Sequence, residues 1–112
     1  MTRRRLPPAE QMSPYFHEWL QWTAIYEERV GATVKSHGLA VRRLLSYSEV
    51  PPGEFGPGSF DQALLMDTVM EMKTDVDIPT IRRSIRALEA FYDFCLTDRL
   101  ILQKPNFERI KL

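Results

Sequence analysis

The 112-residue chain is poor in several things at once. It has one cysteine, Cys95, so no internal disulfide and no cysteine-based zinc site can form. A reducing cytoplasm suits such a chain. It has two histidines, His17 and His37, 20 residues apart and without a cysteine partner, whereas a metal site needs three or four converging ligands. Its longest apolar run, Ala63–Met66, is far short of the roughly 20 residues that a bilayer span requires. The basic N-terminus has no apolar stretch behind it and is not a secretory signal. The five glycines form no phosphate-binding loop, because those at 53, 56 and 58 are not followed by Gly-Lys-Ser or Gly-Lys-Thr. There is also no excess charge, with 15 basic and 15 acidic residues, and neutrality at first sight counts against a polyanionic partner.

What remains is an ordinary globular composition, 44% hydrophobic and 27% charged, of a length that one domain fills. Residues 1–12 carry Arg3, Arg4, Arg5, Pro7 and Pro8 with no apolar period, and read as a flexible basic arm. From Ser13, a good N-cap followed by Pro14, the pattern turns helical. Phe16, Trp19, Leu20, Thr23 and Tyr26 recur at three- and four-residue spacing, and Gly31 reads as a stop. Trp19 and Trp22 are expected as core and boundary residues. A second helix is predicted from about Thr33 to Tyr47, with Val34, His37, Val41, Leu44, Leu45 and Ser48 on one face. Gly38 inside it costs about 1 kcal/mol relative to Ala, which points to close approach of a neighbouring helix.

Residues 50–58 read as a Pro- and Gly-rich loop. Ser59 or Asp61 can cap a third helix carrying Leu64, Leu65, Val69 and Met72. Asp77 is expected to cap a fourth, with Pro79 tolerated in its first turn and Ile81, Ile85, Leu88, Tyr92 and Cys95 forming its apolar stripe. No stretch alternates with period two. The expected fold is therefore all-α, a small orthogonal four-helix bundle over residues 13–112.

The zero net charge hides a division. Residues 49–77 hold seven acids against one Lys, while basic groups prevail in every other segment. Arg82, Arg83 and Arg86 occupy the first turns of the fourth helix, and its acids come later, at Glu89, Asp93 and Asp98. This reverses the usual dipole preference, and a helix start loaded with Arg favours an anion nearby. Lys35, Arg42 and Arg43 repeat the arrangement on the second helix, with Thr33 and Ser36 at its start. Taken alone, such clusters are equally well read as solvated helix surfaces.

The segment from Thr80 to Pro105 resembles the last helix of the core-binding, SAM-like domain of the tyrosine recombinase (phage integrase) family. Thr80-Ile81, Ala87-Leu88, the aromatics Phe91, Tyr92 and Phe94, Leu100-Ile101 and Pro105 carry the likeness. Phe16–Leu20, and Thr33-Val34 with Leu44 and Tyr47, are similar in outline to the first two family helices. The departures are Val30 and Asp77 where Ser is usual, His37 where Tyr is common, Lys104 in place of Asn, and the long loop 49–59. The resemblance implies a domain that clamps one side of a recombination-site duplex and meets neighbouring recombinase protomers. It implies DNA contacts from Lys35, Arg42, Arg43, Thr80, Arg82, Arg83 and Arg86, extended by Arg3, Arg4 and Arg5. In the family a catalytic domain follows, and this chain ends where it would begin. No Arg-His-Tyr constellation can be assembled, so neither catalysis nor a cofactor is expected, and a nucleoid-associated, cytoplasmic DNA-binding piece of a mobile element is. A helical protein-interaction module, or a truncated integrase relic that self-associates, is the alternative.

Overall fold

The computed structural model describes residues 4–26, 31–98 and 100–112. Their secondary structure is helical throughout: α1 (Pro14–Tyr26), α2 (Gly31–Leu45), α3 (Gln62–Lys73) and α4 (Ile78–Thr97), with short 3-10 turns at Ala9–Gln11, Pro52–Glu54 and Phe107–Arg109. There is no strand among the described residues. The fold is an all-α four-helix bundle. Its radius of gyration, 13.2 Å, is that of one packed unit of this length.

The helices begin where capping chemistry dictates. Ser13 Oγ accepts the Phe16 N–H at 3.3 Å, with Pro14 opening α1. Asp61, rather than Ser59, caps α3 by accepting the Leu64 N–H at 2.8 Å. Asp77 caps α4 by accepting the Thr80 N–H at 3.1 Å. Two predicted boundaries move. Gly31, read from the sequence as a helix stop, is itself helical and belongs to α2. At the other end, Tyr47 and Ser48 N–H bond to the carbonyls three residues back, so α2 tightens into a turn after Leu45.

α4 is the spine. It packs most extensively on α2 and also touches α1 and α3. Ile81, Ile85, Leu88, Phe91, Tyr92, Phe94 and Cys95 are all buried along it. Gly38 fulfils its expected purpose: a Cβ there would lie 3.2 Å from Leu20 Cδ1 and 3.3 Å from Phe16 Cζ, so α1 sits too close for any larger residue to enter freely. Trp19 is fully buried and Trp22 lies partly buried at the edge of the core.

Two regions predicted to be irregular are parts of the core. Within the Pro/Gly loop, Phe55 is fully buried, its ring centroid 4.4 Å from that of Phe91. The basic arm does not hang free over residues 4–12. Met12 is buried, Ser13 Oγ donates to the Phe55 carbonyl, and Arg42 Nη1 donates to the Pro7 carbonyl at 3.3 Å. The arm therefore lies along the C-terminal end of α2. The C-terminal segment is pinned as well. Lys104 Nζ pairs with Glu89 at 2.9 Å and Asp93 at 2.8 Å, and Gln62 exchanges hydrogen bonds with the Asn106 backbone.

Truncating Phe55 removes a buried ring from the centre of the aromatic cluster. Phe55→Ala should cost about 3–5 kcal/mol in urea denaturation followed by far-UV circular dichroism. Ile25→Ala, at a side chain 67% exposed, should stay within about 0.5 kcal/mol of wild type.

Candidate nucleic-acid interface

Between α2 and α4 lies a cleft of about 520 Å³. α2 contributes Ser36, His37, Leu39, Ala40 and Arg43, and α4 contributes Thr80, Arg83, Ser84, Arg86 and Ala87. Helical geometry selects these residues. Ser36, Ala40 and Arg43 follow each other at four- and three-residue steps, as do Thr80, Arg83 or Ser84, and Ala87. The small side chains of Ala40, Ser84 and Ala87 leave the hollow, and the arginines rim it. Ser84 is buried, and its Oγ has no hydrogen-bond partner among the described residues. His37 forms one wall, its ring stacked on Trp19 with centroids 5.9 Å apart.

Lys35, Arg82, Arg83 and Arg86 are exposed and Arg43 is half-buried. None of these five forms an ion pair with a described residue. Glu89, the first acid after them on α4, is held by Lys104. The helix start is not itself vacant for an anion, because the Asp77 carboxylate already takes the Thr80 N–H. The cationic character of the cleft thus comes from side chains. Arg83 and Arg86, three apart, enter it together. Arg82 and Lys35 stand on exposed helix surface outside its lining.

Several expected contact residues lie elsewhere. Arg42 is next to Arg43, but adjacent helical residues point about 100° apart. Arg42 turns to the arm, half-buried, with its guanidinium on the Pro7 carbonyl, and its role is structural. Arg4 is likewise engaged. Its Nη1 donates to the Ser46 carbonyl at 3.2 Å, its Nη2 pairs with Glu71 at 3.2 Å, and its Cζ lies 4.9 Å from the Tyr47 ring centroid. Arg5 is exposed beside the hollow between arm and loop. Arg3 lies outside the described residues. In the sequence, Ser84 only widens the apolar stripe of the fourth helix, and His37 falls on an apolar face and stands where the family commonly has Tyr. The small-residue spacing Ala40, Ser84 and Ala87 was the signal for a cleft.

The acids gather apart from this cleft. Glu49, Asp67 and Glu71 line a second hollow, of about 450 Å³, with Arg4 and Tyr47. No α3 residue lines the basic one. Tyr47 donates to the Asp75 carboxylate at 2.5 Å. Burial, and then that carboxylate, raise the Tyr47 hydroxyl above its ordinary pKa.

No family model, curated protein or solved structure matches this chain. The site is therefore read from its own chemistry. Among the described residues no three His, Cys, Asp or Glu side chains converge as a metal site would require, and no helix is long and apolar enough to cross a membrane. Tyr92 and Cys95 are committed to the core. The Tyr92 hydroxyl accepts the Phe60 N–H at 3.1 Å and donates to the Phe60 carbonyl at 3.3 Å. Burial pushes Tyr92 from its ordinary 10.0 to about 12, and Cys95 from 9.0 to about 12.

Both groups hold their protons more tightly in the folded chain than in the unfolded one. Stability should therefore fall as pH rises above about 9, where the unfolded thiol begins to ionise, and continue to fall towards about 12. In Tyr92→Phe the decline between about 10 and 12 should be shallower, read as the urea midpoint against pH. An unchanged slope would remove Tyr92 from the linkage.

Proposed function

We propose that the α2–α4 cleft is a binding face for duplex DNA, and that the chain acts as a core-binding domain of the tyrosine recombinase type. The observation that carries this reading is the convergence of Arg43, Arg83 and Arg86 from two helices on one cleft, with no carboxylate among the described residues paired to any of them. Uncompensated arginines on a concave surface raise the local concentration of a polyanion. Arg presents a planar fork that suits phosphate oxygens and guanine edges. Lys35 and Arg82 flank the cleft and extend the cationic surface. Thr80 and Ser36 add hydroxyls suited to phosphate, and Leu39 is 39% exposed and can meet a thymine methyl. The residue pattern from Thr80 to Pro105 supports the recombinase type. The acidic side, on α3 and the loop before it, faces away from the duplex and sets the orientation of the domain. Neighbouring copies along one recombination site are its protein partners, and the nucleoid is its place of work.

Five unpaired cations imply about five phosphate contacts. The slope of log affinity against log salt should lie near −4 to −5 on duplex DNA. Arg83→Gln combined with Arg86→Gln should weaken binding and reduce that slope by about 2, with the helical circular dichroism unchanged. Arg42→Gln should leave the slope as it is. A flat salt response, together with tight binding to an acidic protein surface, would assign the cleft to protein recognition instead.

A further inference from the structure

The arm and the acidic hollow form a second site that the DNA reading does not use. The Arg4 guanidinium lies over the buried Tyr47 ring, meets the carbonyl of Ser46 just past the C-terminus of α2, and pairs with Glu71. An aromatic face, a helix C-terminal carbonyl and a carboxylate together satisfy a guanidinium on three sides. The Tyr47 hydroxyl is held by Asp75, a contact that does not involve Arg4. Asp67 and Glu49 line the same hollow and form no ion pair with a described residue, so it holds more negative charge than Arg4 neutralises. The occupant's hold is light. The Arg4 and Glu71 side chains are 49% and 57% exposed, and an exposed pair of this kind is screened by salt.

The other end of the arm is anchored differently. Arg42 holds the Pro7 carbonyl, and Pro7-Pro8 stiffens the chain there. Arg42 is one residue from Arg43, which rims the basic cleft. Released from Glu71 but held at Pro7, the arm could carry Arg4 and Arg5 about 10 Å from that anchor, measured along the backbone. The arm would then pivot about a point held by the chain neighbour of Arg43.

We propose that the Tyr47–Glu71 hollow is a guanidinium site that latches the basic arm onto the protein's own acidic face, and that DNA phosphates compete with it for Arg4. The latch stands on the contacts of Arg4 alone. The competition rests on the DNA reading of the α2–α4 cleft.

The test uses the full chain and two readouts. Limited trypsin cleavage after Arg4 and Arg5, followed by mass spectrometry, reports release of the arm without DNA. Glu71→Gln should speed this cleavage about fivefold, the equivalent of one exposed ion pair. Asp67→Asn removes the same charge from the same helix without touching Arg4, and should leave the rate near wild type. Binding to labelled duplex DNA is the second readout. Glu71→Gln should bind more tightly, with a salt slope steeper by about 1 to 2. The double variant Arg4→Gln/Glu71→Gln should lose at least half of that increase in slope. Cleavage unchanged by Glu71→Gln overturns the latch, and so does an equal response to Asp67→Asn. Faster cleavage with unchanged DNA affinity overturns the competition. If no variant binds DNA, the reading of the cleft and the competition fall together, while the cleavage result still decides the latch.

Discussion

The structure depends on the ring of Phe91. It sits in the second half of α4 and meets Trp19 of α1 edge-on at 5.7 Å and Phe55 of the loop at 4.4 Å. Trp19 in turn stacks on His37 of α2. One aromatic cluster thus ties the first two helices, the irregular loop and the last helix to a single point. Aromatic contacts of this kind add about 0.5–1.5 kcal/mol each beyond the area they bury, and their geometry is directional. That direction positions the site. With α1 pressed against α2 at Gly38, and α2 laid along α4, the remaining exposed edges of α2 and α4 face each other across small residues and leave the cleft.

Core packing and charge are then coupled through the helical period. α4 buries so much of its circumference that little surface is left for its first three arginines. Arg83 and Arg86 fall on the cleft edge and Arg82 on open surface. On α2 the same geometry parts Arg42 from Arg43, sending one to the arm and one to the cleft. Cations that look like one cluster in sequence therefore part, one held by the arm and the other left on the cleft.

Much of this was legible beforehand. The caps at Ser13 and Asp77, the apolar stripe of α4 and the close approach at Gly38 follow from local chemistry that a sequence states directly. Phe55 did not, because its neighbours Pro51, Pro52, Gly53, Gly56, Pro57 and Gly58 mark a loop correctly while saying nothing of whether that loop is packed. The arm failed for a related reason. Its contacts to Ser46 and Glu71 span 42 and 67 residues, and no local pattern encodes them. Of the site, residue type and spacing placed Arg43, Arg83 and Arg86 off the apolar faces, while a role in contacting DNA was implied only by the family resemblance. The assignment of Arg42 and Arg4 to the same surface was not sustained, since each is taken by a partner distant in sequence.

The neutral balance of the chain follows from these placements. A protein that gathers unpaired arginines on one cleft raises its own electrostatic energy there, and an equal number of acids elsewhere offsets the total without quenching the field. Separation is what preserves that field. Had Glu71 or Asp67 stood beside Arg83, an internal ion pair would have neutralised that cation. No α3 residue lines the basic cleft, and Arg4, the arginine that pairs with Glu71 among the described residues, belongs to the arm and not to a helix. Charge of both signs is therefore present at full strength on different faces. A net charge of zero thus coexists with a marked separation of charge over the surface.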